Sequence, residues 1–201
     1  MNSLLLTITI FAYWGLIGFA TLTLCSSRQR ILQGILLSPS IGIAVTLLSV
    51  FFLSRSGLPV KDFAVYLVFI LAVLSVIILV LKRPVFPYKR LAWFFTIVIA
   101  ALFLVAWPMF KYGFDWVSYA NDDMANYCLG AARFLQHGFF DSPDLAELYQ
   151  GRDYSLAYWF LYVPGKIRPG SELMLAFVWG ATGLNANQIF MTVIVGLHLA
   201  L

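Results

Sequence analysis

Four long apolar runs, separated by short polar loops, organise the first 110 residues. Ser3–Leu24 carries no charge, and neither does Ile31–Leu53, which holds Pro39 and two glycines. Phe63–Leu81 is dense in Val, Ile and Leu, and Leu91–Phe110 has Trp93 and Trp107 near its ends. A membrane span needs about 20 mostly apolar residues, so each run predicts a transmembrane helix. Tryptophans near run ends fit the headgroup belt. No Lys or Arg precedes the first run, as a secretory signal requires, so it reads as a retained helix.

Basic residues in the short loops set an expected orientation. Arg28 and Arg30 follow the first run, and Lys82, Arg83, Lys89 and Arg90 follow the third. The loop between the second and third runs holds only Arg55 and Lys61. The first and third loops are therefore expected in the cytoplasm, with the N-terminus and residues 111–186 extracytoplasmic in a plasma (inner) membrane. Cys25 and Cys128 then fall on opposite sides and give no disulfide framework.

Polarity changes after residue 110. Eight of the nine acidic residues lie between Asp115 and Glu172, while the first 110 residues hold only Asp62. Within this segment, Asn121–Gly138 reads as an amphipathic helix. Asn121 stands at its cap and Asp122 and Asp123 in its first turn, where the helix dipole favours negative charge. Met124, Tyr127, Cys128, Ala131, Phe134 and Leu135 form one apolar face, and Gly138 ends it. Phe139–Gly165 reads as loop with a short helix at Pro143–Tyr149. Glu172–Thr182 predicts a helix too short to span, half-inserted or lying on the membrane surface. Asn187–Leu201 reads as the start of a fifth span, which raises the expectation that the chain is the N-terminal portion of a longer protein. The expected fold is thus all-α and polytopic, with a four-helix membrane region at 1–110, an extracytoplasmic loop with surface helices at 111–186 and a further helix from 187.

Composition agrees: 62% of residues are hydrophobic and 11% charged, far from the even balance of a soluble domain. The net charge of +4 comes from loop residues beside apolar runs, which reports membrane orientation and not nucleic-acid binding. No phosphate-binding glycine loop, Cys/His zinc site or serine nucleophile elbow occurs.

The stretch Trp116-Val-Ser-Tyr-Ala-Asn-Asp-Asp-Met-Ala-Asn-Tyr127, followed by Ala131-Ala-Arg-Phe-Leu135 and Gly138-Phe-Phe140, resembles the first external loop of GT-C type glycosyltransferases. Shared features are an acidic pair, a tyrosine one turn later, a small-residue helix and a glycine–aromatic exit. Arg168-Pro-Gly-Ser-Glu-Leu-Met-Leu-Ala-Phe-Val resembles the surface helix before the next span in the same enzymes. The likeness covers roughly 110–201. Many such enzymes place this loop directly after their first helix, whereas four runs precede it here. The resemblance implies a polyprenyl-phosphate-linked sugar donor, transfer on the extracytoplasmic face, an acidic loop residue as general base or acceptor guide, and in some members a divalent cation such as Mg or Mn.

Sugar transfer to a hydroxyl needs a carboxylate within reach of the attacking oxygen. Asp122 and Asp123 are the candidate catalytic residues, Asp123 favoured by its spacing to Tyr127. Asp115, Asp122 and Asp123 offer oxygen ligands for a hard cation. Asp115 and Tyr127 are candidate substrate contacts. Arg133, Arg152, Lys166 and Arg168 offer cations for a lipid phosphate, Arg being the better fork, with Arg152 and Arg168 the chosen pair. Each has a plainer role: the acids as helix-start charges, Tyr127 as packing, the arginines as headgroup anchors, and His137 as a helix C-terminal cation. His198, in the last apolar run, is expected to face a bundle interior. The expected function is a membrane glycosyltransferase. The alternatives are a non-enzymatic scaffold, transport or glycan-binding subunit, and another enzyme of lipid-linked polymers.

Overall fold

The computed structural model describes residues 2–25, 31–84, 88–117, 123–151, 154–166 and 168–200. Their regular elements are all helical, as the apolar periodicity predicts. Three helices are long and apolar enough to cross a membrane: α1 (Ser3–Cys25), α2 (Ile31–Arg55), through its Gln33–Arg55 part, and α3 (Val60–Lys82). These match the first three runs. The number of candidate spans rises to five only if two bent helix pairs each count as one. α3 is apolar on every side and leaves Phe69, Val73, Ile77 and Leu81 exposed. A helix apolar all round has lipid as its natural surroundings.

The fourth run departs from the expected single straight span. α4 (Tyr88–Val105) ends at Ala106, and α5 (Trp107–Tyr112) continues into a 3₁₀ turn at Gly113–Asp115. The two parts are bent by 67°. Pro108 is the cause: it brings no N–H for the Leu104 carbonyl, and its ring collides with that carbonyl in a straight helix. The break leaves Trp107, Phe110 and Tyr112 exposed on a short amphipathic turn.

The chain forms two compact units. The first contains residues 1–46, 68–116 and 191–201. Here α1 and α2 cross with backbones touching: a Cβ on Gly18 would strike the Ser38 carbonyl, and one on Gly42 the Trp14 carbonyl. Membrane helices associate through such small-residue crossings because apolar side chains gain little by leaving lipid. Pro39 frees the Ile35 carbonyl within α2, and the Ser38 hydroxyl donates to it at 2.7 Å. That local bond is what lets a proline stand inside a membrane helix. Leu102, Ala106, Met109 and Val195 form a small core, and Ser40 donates to the Ala200 carbonyl. His198 is exposed in this unit and its ring bonds the Ile194 carbonyl one turn back.

The second unit contains residues 47–67 and 117–190. It combines the α2–α3 hairpin tip with α6 (Asp123–Gln136), α7 (Leu145–Gln150), α8 (Leu156–Tyr162), α9 (Gly170–Thr182) and the start of α10 (Ala186–Ala200). α6 and α7 agree with the amphipathic helix and the short helix read from sequence, although Asn121 and Asp122 lie outside the described residues. At α7 a capping box joins Asp144 and Glu147, the Glu147 carboxylate accepting the Asp144 N–H at 3.0 Å. α8 falls where only loop was expected. α9 is a second correction. With 13 residues it reaches about 20 Å, too short to span, yet Glu172–Val178 are all buried within the protein. It is the core helix of this unit and not a surface helix. Gly183 ends it in the left-handed conformation at φ 72°.

The hairpin tip is fastened to the polar segment. The Phe139 N–H donates to the Ser54 carbonyl at 2.9 Å. Gly138 lies so close to Gly57 that a Cβ would sit 2.6 Å from its carbonyl oxygen. A Cβ on Gly180 would lie 2.9 Å from that of Ala64. The 54–59 turn and the polar helices therefore pack together within this unit.

Candidate functional site

α6 and α9 pack face to face because α6 carries no side chain at Gly130. A Cβ there would lie 2.6 Å from Tyr158 Cε1 and 2.7 Å from Glu172 Cγ. The missing methyl lets α8 and α9 bring a phenol and a carboxyl against α6. Asp123 and Tyr127 stand on the same helix, one turn apart. Asp123 is exposed at the first position of α6, and Tyr127 is half-buried, its ring 6.0 Å from that of Phe190.

Electrostatics tie these groups together around Tyr158. Its hydroxyl is pushed up to about 12, first by burial and then by the negative charge of Glu172, Tyr127, Asp123 and Cys128. Burial also pushes the Cys128 thiol up to about 11, so it stays a thiol. Glu172 is 4% exposed. Burial raises its carboxyl above the ordinary value, partly opposed by a hydrogen bond from its own backbone N–H. α6 thus begins on an exposed carboxylate, Asp123, and at Gly130 packs against a buried one, Glu172.

The raised Glu172 value has a stability consequence. In the unfolded chain the carboxyl ionises near 4.5, whereas burial resists ionisation in the folded protein. Its contribution is therefore harmless at low pH and becomes destabilising as pH rises from the ordinary value through the raised one. Glu172→Gln is expected to melt at a higher temperature than the wild type at pH 8 and at the same temperature near pH 4. Thermal melts in detergent at the two pH values check this. A wild-type advantage at pH 8 would contradict it.

The other sequence candidates are scattered. Asp115 is exposed in the 3₁₀ turn of the first unit. Asp122 and Arg152 lie outside the described residues. Among the described residues, no three His, Cys, Asp or Glu side chains gather as metal ligands. Arg133, a sequence candidate for lipid phosphate, is fully buried. It donates to the Asp141 carbonyl at 3.0 Å, while its Nε and Nη1 have no hydrogen-bond partner. Its guanidinium lowers the neighbouring Tyr162 hydroxyl against the larger upward push of burial. No headgroup reaches it. Arg168 is exposed and lines a cleft with Arg55.

Glu172, Tyr158 and Arg55 are the residues that sequence reading passed over. Glu172 looks like an ordinary helix-start acid, and Tyr158 lies in a stretch without periodicity. Compared with known proteins, the chain matches no family model, no curated protein and no solved structure.

Proposed function

We propose that this multi-pass membrane protein is a glycosyltransferase of the GT-C kind, moving a sugar from a polyprenyl-phosphate carrier at the extracytoplasmic face. The carrying observation is the convergence of Asp123 and Tyr127 with the buried Glu172 and Tyr158. In this reading the Asp123 carboxylate takes the proton of an acceptor hydroxyl as its oxygen attacks the anomeric carbon. The bond from that carbon to the lipid phosphate breaks, and the phosphate leaves with the electron pair. Asp122 is the adjacent candidate for the same task. Tyr127 offers a ring for the sugar.

The test uses membranes carrying the full protein and a labelled polyprenyl-phosphate sugar. Wild-type membranes are expected to transfer label to envelope acceptors, and Asp122→Asn, Asp123→Asn and the double variant to separate the roles of the pair. Unchanged transfer by all three variants would contradict the assignment.

One observation favours a glycan-binding role without catalysis. Tyr149 and Tyr154 are among the most exposed side chains of the second unit, and aromatic faces are common sugar platforms. That reading expects loss of glycan capture in Tyr149→Ala, with no transfer in the wild type.

A further inference from the structure

We propose that the cleft between the end of α2 and the start of α9 binds the phosphate of an anionic glycerophospholipid from the surrounding leaflet. The cleft encloses about 450 Å³, within the range of small-ligand sites. Leu47, Leu48 and Phe51 form one wall and Leu173 belongs to the other. The first three belong to the last turns of a helix long and apolar enough to span. The apolar wall is thus continuous with a membrane helix, where a lipid chain runs.

Arg55 and Arg168 supply the charge. The Arg55 guanidinium lies 5.3 Å from the Phe51 ring, 5.6 Å from Phe139 and 4.8 Å from Phe140. The three rings hold its plane in place while leaving its N–H fork without a carboxylate. Among the described residues neither arginine has an ion-pair partner. A fixed guanidinium fork matches a phosphate's oxygens two at a time. Gly170, the first residue of α9, also lines the cleft, which brings the positive end of that helix dipole to its edge.

Among the described residues, no acidic side chain lines the cleft. A zwitterionic headgroup would leave its ammonium unmatched there, whereas an anionic one meets two cations. Clusters of basic residues beside membrane helices recognise lipids on this principle. The site stands apart from the sugar-transfer reading, since its walls and cations serve a lipid that is not consumed.

The experiment is lipid retention by the full protein, purified in mild detergent with equal phosphatidylglycerol and phosphatidylcholine and read by native mass spectrometry. The wild type is expected to retain phosphatidylglycerol preferentially. Arg168→Gln should cut that preference roughly five-fold, and Arg55→Gln/Arg168→Gln should remove it, at about that factor per cation. Leu48→Trp, at an exposed position, should reduce retention with both charges in place. Asp123→Asn should leave retention untouched whether or not it alters transfer. The proposal is overturned if the wild type retains both lipids equally, or if Arg168→Gln and Leu48→Trp both leave the preference intact. It is also overturned if equimolar polyprenyl phosphate displaces the phospholipid, which would assign the cleft to the sugar carrier.

Discussion

Gly42→Leu is expected to abolish the folded protein. A Cβ at this position enters the Trp14 carbonyl, and three further carbons follow it. The obstacle is helix backbone on both sides, so no side chain can rotate away. Overpacking a core costs about 1–3 kcal/mol where side chains give way, and here two helices must separate. Separation also exposes the packed face of α1, where Trp14, Ile17 and Ala20 are each no more than 2% exposed. A loss above about 4 kcal/mol marks a substitution that breaks a core. Gly15→Leu is the control, because nothing lies within 4 Å of a Cβ there. Size-exclusion yield in detergent should fall to aggregate for Gly42→Leu and stay monodisperse for Gly15→Leu. Equal behaviour of the two variants would contradict the close crossing.

Asp123→Asn is expected to lower sugar transfer by about 10²–10⁴-fold, the usual contribution of a positioned general base. Asparagine keeps the size and the helix-start position but cannot accept the acceptor's proton. The loss should fall on kcat with KM little changed, since the interaction is realised in the transition state. Melting temperature should move little, because Asp123 is exposed. A matching loss in a surface variant such as Glu147→Gln would mean that negative charge, and not this carboxylate, is required.

Much of this architecture was legible before the structure. The first three spans are charge-free for 18 residues or more, and α6 announces itself by its apolar spacing and glycine stop. Pro108 was visible inside the fourth run, yet apolarity alone masked the break it makes. α8 was hidden because Leu156–Tyr162 is apolar and aromatic throughout, and a seven-residue run without alternation has no period to read. The candidate site was half legible. Asp123 and Tyr127 lie one turn apart on one helix, a local relation. Glu172 and Tyr158 join them only through the α6–α9 packing that Gly130 permits, which no spacing records. Arg133 shows the same limit from the other side: its sequence position suits a headgroup contact, and tertiary packing buries it.

Sidedness decides whether Asp123 can meet an extracytoplasmic donor at all. The native cysteines make the measurement clean, since Cys25 is exposed at the end of α1 and Cys128 is buried. Sealed cells producing the wild type or Tyr149→Cys are treated with a membrane-impermeant maleimide. The expected result is labelling of Tyr149→Cys, with the wild type labelled only after the cells are opened. Labelling of the wild type in sealed cells, with no gain from Tyr149→Cys, would place the α6–α9 unit in the cytoplasm and contradict the account.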